Sequence, residues 1–552
     1  MNSYVPLHLH SHMGSVLDSM VRVELSKGKN DLMEKCMEYD IESVALTDHG
    51  SMAGVVTHYK TCKQYGIKPI IGLEVYVTND YSIKDKSSTY YHLILLAKNN
   101  IGYRNLKELS SFGYTKGFYR KPRIDFNVLS KYSEGLVCCT ACLVGELPRM
   151  IMRYHNEPTQ ELEHDIMKFI ANYKGLFGDD FYLEIQSSDS EEQMIVNKEL
   201  VNLSKLQGLP IVVTTDVHFL NKEDFDAHNV YININQDRDT ENYKYCYLQT
   251  RKEIESVLSY LPSDIVQKAL DITYEVANKC NVEIELGNAY LPHLEVPELY
   301  DNEYDWLVSE VKHGLKVRGI LKLPNKQEYL DRIKFELNVI KTKGFEGYFL
   351  ILMEIIKEAK ARGIPIGEGR GSAAGSIVAY LMGITNVDSV KYDLDFGRFL
   401  TIERTSLPDV DTDVSTARRG ELIDLVVEMF GVENVAQVAT FGTLATKAVI
   451  EAVGKVMGIA KEDRELFKSK VDETVGTKSL TNLKEYKDYK DYIDTCIKIE
   501  GANRSYGCHA GALCISGGNK PMVDYAPVMF NKDGKIMTQF EMHDVEDVGL
   551  TN

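Results

Sequence analysis

LHLHSHMGSVLD, residues 7–18, carries histidine at every second position (His8, His10, His12) and closes on Asp18. On an extended backbone alternate side chains share a face, so the three imidazoles project together. Working outward, six more short apolar runs follow: VALTDHG (44–50), PIIGLEVYV (69–77), YHLILLA (91–97), GLVCCTACL (135–143), FYLEIQ (181–186) and PIVVTTDVHFL (210–220). Helical stretches separate them. The alternation predicts an α/β fold with a barrel-like or layered N-terminal domain. Such folds build their sites at strand ends. Here the ends of the runs carry Asp48, His49, Glu74, His92, Cys142, Asp216 and His218.

Imidazole, carboxylate and one thiolate are a donor set suited to zinc or manganese. Ten of the fourteen histidines fall within the first 228 residues. A single buried histidine is ordinarily a hydrogen-bonded core residue. No packing rule, however, asks for histidine and carboxylate at one strand end after another. His8 is read as structural, because three alternating histidines exceed what one metal centre needs from one strand. His58, His155, His164 and His228 are read as ordinary histidines.

The chain has 552 residues, room for about three to four domains, and 44% hydrophobic and 26% charged residues, a soluble globular mixture. The start, MNSYVPLHLHSH, has no basic and apolar leader pattern. No run of about 18 apolar residues occurs, so no membrane span is expected. Ten cysteines in a chain this long are too sparse for a disulfide scaffold and fit a reducing cytoplasm. The net charge of −18 opposes general phosphate binding. Any nucleic-acid contact must therefore use basic residues concentrated on one face.

Residues 221–285 read mainly as helix, and YLPHLEVPELYDNEYD (290–305) reads as a linker. YFLILMEIIKEAKARG (348–363) is an amphipathic helix leading into a strand-like IPI and the turn GEGRGSAAGS (367–376). Backbone amides of such a turn, with a helix N-terminus behind them, suit phosphate. The turn is no Walker A loop, although Gly369–Ala374 fits GxGxxA, the mark of a dinucleotide-binding turn. In SLPDVDTDV (406–414), Asp409, Asp411 and Asp413 recur with period two. On a strand their carboxylates share one face and repel, which is costly unless cations neutralise them. The alternative is a polar loop with aspartates as turn residues. Helix-rich sequence is expected over 433–505, and the sheet pattern returns with GALCISGG (511–518).

LHLHSHMGSVLD, LTDHGSMAGVVTHYKTCKQYGIKPIIGLEVYV, HLILLAKNNIGYRNL, GFYRKPRID and PIVVTTDVHFL resemble the PHP (polymerase and histidinol phosphatase) domain of bacterial DNA polymerase III alpha subunits. The resemblance implies His10, His12, Asp18, His49, Glu74, His92, Cys142, Asp216 and His218 as ligands of zinc or manganese, and either a 3′–5′ exonuclease or a structural platform. The spacing from His12 to Asp18 is one residue shorter than usual for the family. GYFLILMEIIKEAKARGIPIGEGRGSAAGSIVAYLMGIT, DFGRFLTIERTSLPDVDTDV and FGTLATKAVIEAVGKVMG resemble the palm and thumb of the same C-family polymerases. This implies magnesium at the palm, with Asp411 and Asp413 as two of three catalytic carboxylates and Asp409 supporting them. Arg370, Gly371 and Ser372 would cradle the triphosphate, Arg398 would add charge to it, and Lys447 and Lys455 would meet DNA phosphates. Glu368 stands where the family commonly has proline.

The expected organisation is a PHP-type (β/α) barrel-like domain over 1–285, with 220–285 as its helical tail, and a mixed α+β palm over 286–432. A helical thumb over 433–505 and a palm return over 506–552 complete it. The expected partners are primer-template DNA, deoxynucleoside triphosphates, a second polypeptide supplying the fingers, and a sliding clamp. The resemblance breaks off at Asn552 just before the third catalytic aspartate is expected, which suggests a split, interrupted or truncated reading frame. An interrupted frame is a pattern of viral genomes and would place the protein in a host cytoplasm. Two other readings stand beside the polymerase: a PHP-type phosphoesterase with a palm-like half that only binds DNA, and an assembly fragment active only with its C-terminal partner.

Overall fold

The computed structural model describes residues 3–235, 240–288, 290–292, 294–402, 410–518 and 520–550. The chain forms two compact units. The first comprises Met1–Ile284, Ala439–Cys508 and Pro527–Asp544; the second comprises Glu285–Val438, His509–Ala526 and Val545–Asn552.

The apolar runs of the first unit become β1 (Ser43–Leu46), β2 (Lys68–Thr78), β3 (Tyr91–Ala97), β4 (Arg123–Asp125), β5 (Leu136–Cys139), β6 (Phe181–Gln186) and β7 (Ile211–Thr214). They form one sheet in the order β1-β2-β3-β5-β6-β7, with β4 paired to β2. β3 is antiparallel to both β2 and β5, whereas β1/β2, β5/β6 and β6/β7 are parallel. The mixture explains why these strands read as continuous apolar runs: helices cover them, so both faces are buried. Ala45, Ile70, Ile94, Val137, Tyr182 and Val212 share one core with Ile272 and Val276 of the helix Ser263–Lys279. Each fully buried aliphatic side chain there contributes about 1.5–3 kcal/mol.

The segment around His8–His12, expected as a strand, is extended but pairs only through a bridge between Leu9 and Val217. It threads between two partners. The N–H of His10 donates to Val217 O at 2.9 Å, and the N–H of Thr47 donates to Leu9 O at 2.8 Å. One chain segment thus links the loop after β1 to the loop after β7.

The stretch 433–505, expected to be helix-rich, begins with strand β8 (Val435–Thr443). Three helices follow, Thr446–Val456, Lys461–Lys470 and Lys490–Ile499. From Ala439 onward the stretch belongs to the first unit. The reason is apolar: Leu444, Val449, Ile450, Phe467, Ile493 and Ile499 share a buried core with Tyr231 of the helix Phe225–Ile232. The remaining strands are β9 (Asn503–Ile515), β10 (Val528–Phe530) and β11 (Ile536–Glu541), in the sheet order β10-β11-β8-β9.

In the second unit the helices Glu303–Val317, Lys326–Lys343, Glu346–Ala361 and Ile377–Leu381 enclose a core that includes Leu307, Ile340, Phe349, Ile377 and Phe399. The expected strand Ile364–Ile366 is not formed; Ile366 makes only an isolated antiparallel bridge to Val414. The glycines that follow stop a ladder from extending, since Gly369 and Gly371 hold φ of +106° and +65°. Asp409 lies outside the described residues.

Candidate functional site

The first cluster is built at the ends of the strands of the seven-stranded sheet. His49 follows β1, Glu74 lies in β2, His92 opens β3, Cys142 follows β5, and Asp216 and His218 follow β7. The N-terminal segment brings His8 and His10 into the same space. His8 Nε2 lies 3.0 Å from His10 Nε2, and both are 3.1 Å from Asp216 Oδ1. His92 Nδ1 is 2.9 Å from Glu74 Oε1, and His49 Nδ1 faces Glu74 Oε2. Asp18 Oδ2 is 2.8 Å from His49 Nε2 and 3.7 Å from His218 Nε2. Cys142 Sγ sits 3.6 Å from His92 Nδ1.

Among the described residues four donor groups result, each with its ligand atoms within 4.8 Å of one another: His10–His49–His218, His8–His10–Glu74, His49–Glu74–His92 and Asp216–His218–Cys246. Local support is specific. Asp48 does not join the groups but fastens the first loop, accepting from Ser11 N at 2.6 Å, Ser11 Oγ at 2.7 Å and Ser15 Oγ at 2.8 Å. A Cβ on Gly14 would meet Asp48 at 2.5 Å, so only glycine fits that turn. Asp216 itself takes a φ of +48°, a strained backbone that holds its carboxylate among the imidazoles.

Electrostatics confirm how unusual this packing is. Burial, followed by the neighbouring His49 and His218, pushes His10 down to about 3. Burial also lowers His49, but Glu74 and Asp18 outweigh it and hold the ring up at about 9. Burial raises Glu74, and the surrounding histidines more than reverse this, leaving the carboxyl well below its ordinary range. Protons and carboxylates thus share charge imperfectly in a desolvated space. His49 Nδ1, Glu74 Oε2, Asp216 Oδ1 and His218 Nε2 are buried without a sound hydrogen bond among the described residues. Such closely packed nitrogen and oxygen atoms, with the Cys142 sulfur at their border, fit divalent cations.

Of the nine residues implied by the sequence, His10, His49, Glu74, His92, Asp216 and His218 fall in the donor groups. Asp18 and Cys142 border them. His12 does not: its Nε2 meets Glu24 at 2.8 Å and its Nδ1 accepts from Asn503 N at 3.1 Å. His8, read as structural, sits inside the cluster, its other nitrogen 2.7 Å from Glu184. Its alternation with His10 was the signal for this. Cys246 belongs to no motif and was invisible in the sequence.

The second cluster lies in the second unit. The N–H of Gly367 donates to Asp413 O at 2.8 Å, beside the Ile366–Val414 bridge. The glycine turn is therefore laid along residues 413–414, beside Asp411. Arg370 bridges both carboxylates, 3.4 Å from Asp411 Oδ1 and 3.4 Å from Asp413 Oδ1. A Cβ on Gly371 would come within 3.3 Å of Asp411 Oδ2. Ser372 starts the turn Ser372–Gly375, which packs on the turn Phe396–Arg398 carrying the exposed Arg398. Glu368 is exposed, and its carbonyl accepts from Asn386 N at 2.7 Å. In the first unit, Lys447 pairs with Glu473 at 2.6 Å and Lys455 with Glu451 at 3.2 Å.

Residues 6–188 match the PHP domain family, and residues 305–552 match the bacterial DNA polymerase III alpha NTPase domain family. The chain is 38% identical to the DNA polymerase III subunit alpha of Borreliella burgdorferi over 99% of its own length and 48% of that relative. It is 36% identical to that of Campylobacter jejuni, over 100% of this chain and 48% of the relative. The protein of the same name from Treponema pallidum is 35% identical over 99% and 47% respectively. The chain spans about half the length of these curated relatives. It therefore belongs to the DNA polymerase III alpha family, with a PHP domain followed by the bacterial DNA polymerase III alpha domain.

Proposed function

We propose that this chain is the N-terminal part of a replicative DNA polymerase that extends a primer on template DNA from deoxynucleoside triphosphates. The observation that carries the reading is the Arg370 guanidinium held between Asp411 and Asp413 by a phosphate-type glycine turn. The guanidinium is a stand-in cation: two carboxylates that share it have the charge to attract magnesium. In this reading Arg370 releases the aspartates and turns to the triphosphate, aided by Arg398. Gly371 and Ser372 let the backbone approach the phosphates, while Lys447 and Lys455 exchange their glutamate partners for DNA phosphates. A divalent ion, when bound, supplies phosphate polarisation and a more acidic hydroxyl or water.

The buried histidine–carboxylate cluster supports a second activity, a zinc- or manganese-dependent 3′–5′ exonuclease, with His8, His10, Asp18, His49, Glu74, His92, Cys142, Asp216 and His218 as the donor set. His12 is left out by its two hydrogen bonds. Because the chain spans about half the length of its relatives, polymerisation is assigned to a complete polymerase assembly that includes fingers and a sliding-clamp contact. We place that assembly in the cytoplasm; among the described residues no helix is long and apolar enough to cross a membrane.

Primer extension by that assembly is the test. D411N and D413N should each abolish incorporation while leaving 3′-end hydrolysis intact, and H10A with H49A should do the reverse. Incorporation that survives D413N would overturn the polymerase reading. A non-catalytic scaffold would show neither activity in the assembly.

A further inference from the structure

Arg332 and Glu336 lie one turn apart on the helix Lys326–Lys343, outside every motif read from the sequence. Such a pair on an exposed helix face is only a minor stabiliser. Here Glu336 is buried, and Arg332 Nε donates to its Oε1 at 2.8 Å. The carboxylate also accepts from Ile377 N and Val378 N, each at 3.1 Å, and from Ser376 Oγ at 2.8 Å. These donors open the helix Ile377–Leu381, directly behind the glycine turn. Burial pushes the Glu336 carboxyl up, and these four donors oppose it.

Another nitrogen of the same guanidinium has a different role. Arg332 Nη2 donates to Gly375 O at 2.9 Å and to Leu394 O at 2.9 Å. Gly375 ends the turn Ser372–Gly375, and Leu394 stands two residues before the turn Phe396–Arg398. The two segments touch: a Cβ on Gly375 would meet Asp395 O at 2.6 Å. The guanidinium carbon is also 5.9 Å from the centroid of the buried Phe396 ring. One planar group thus serves a buried carboxylate and one carbonyl from each segment. Lysine, a point donor on a flexible stem, cannot make all three bonds in this geometry.

We propose that Arg332, backed by Glu336, is a positioning residue for the triphosphate, fixing the glycine turn that carries Arg370 and Ser372 against the turn that carries Arg398. The proposal rests on the reading of this unit as the nucleotide site. It goes beyond that reading by naming what sets its two arginine-bearing segments side by side. Neither Arg332 nor Glu336 meets the triphosphate; both act through Arg370 and Arg398. Without the shared anchor the two segments lose their common alignment, so nucleotide binding weakens first.

The test is single-nucleotide incorporation by the complete polymerase assembly carrying R332K, E336Q, R370A, R398A or R332K/R398A. R332K and E336Q should each raise KM for the triphosphate about tenfold, with kcat changed less than about threefold. R332K should raise KM by a smaller factor in the R398A background than in the wild type, because part of its effect passes through Arg398. A merely structural arginine would give equal factors in both. Thermal unfolding is followed in parallel, and where R332K does not fold, E336Q carries the KM comparison. Equal factors, or a lowered Tm with unaltered KM, overturn the positioning role. If R370A and R398A raise KM while R332K and E336Q do not, that role alone is overturned. If R370A and R398A both leave KM unaltered, the nucleotide site is misread and the proposal falls with it.

Discussion

The ring of His12 accepts a hydrogen bond at Nδ1 from the backbone N–H of Asn503, 491 residues further along the chain. Its other nitrogen therefore carries the proton and donates to Glu24 at 2.8 Å. Burial would raise Glu24, but the bond from His12 outweighs it and keeps the carboxyl below its ordinary range. His12, which the family pattern marks as a ligand, thus joins the N-terminal segment to the start of β9.

The first prediction follows from that bond. H12A leaves the N–H of Asn503, which is 3% exposed, without its acceptor. An unsatisfied buried donor costs about 1–3 kcal/mol. Urea unfolding should show that loss while zinc bound per chain stays constant. Loss of one zinc with unchanged stability would return His12 to the ligand set.

Metal removal should destabilise the first unit. The cluster packs carboxylates and imidazoles whose charges balance poorly without a cation. Ion held at about 100 times its Kd adds about 2.7 kcal/mol. Calorimetry with and without a chelator should show a lower Tm after chelation, restored by zinc. An unchanged Tm would argue that the cluster holds no ion.

In the second unit, D411N or D413N in the complete polymerase assembly should cut the incorporation rate by at least about 10²–10³-fold, the range for removing a preorganised transition-state stabiliser. R370A should chiefly raise KM for the triphosphate, because its partner in the working site is phosphate. Steady-state kinetics with a single nucleotide separates the two effects. A pure kcat loss in R370A would contradict the assignment.

Lys447 and Lys455 are each engaged by a glutamate, at 2.6 Å and 3.2 Å. Exposed pairs of this kind are worth about 0.2–1 kcal/mol, so DNA phosphate can displace them. Each lysine that meets a phosphate adds about one unit to the salt slope of binding. K447A/K455A should lower the slope of log K against log salt for primer-template by about two. No change in slope would remove both from the DNA path.

Glu451 provides a pH dependence. Lys468 above all, with Lys455 and Arg464, holds its carboxyl down at about 2. A carboxyl depressed on folding stabilises the fold above its unfolded value of about 4.5. That contribution is lost as pH falls from there through about 2. The side chain is 30% exposed, so solvent limits the effect to about 1 kcal/mol. Denaturation of wild type and E451Q should therefore converge as pH drops from 5 toward 2, about the range set by that linkage. Curves that stay parallel would show the pairs to be energetically idle.

By itself the sequence determined the α/β alternation, the glycine turn, the paired Asp411 and Asp413, and most of the histidine–carboxylate set. These are periodic or local patterns, and local patterns follow from backbone geometry: period two on a strand, positive φ at glycine, a cap before a helix. Ser376 shows this in miniature, its side chain accepting from Ala379 N at the start of Ile377–Leu381. What tertiary structure alone decided is which side chains meet across long separations. It moved His12 away from the cluster to Asn503, drew His8 in against Glu184, and set Cys246 beside His218 through backbone hydrogen bonds. It also gathered the helices that follow β8 with Phe225–Ile232 around the buried Tyr231. Contacts of this kind are chosen by burial and by the need of each buried polar group for a partner, and neither requirement leaves a periodic trace in the chain.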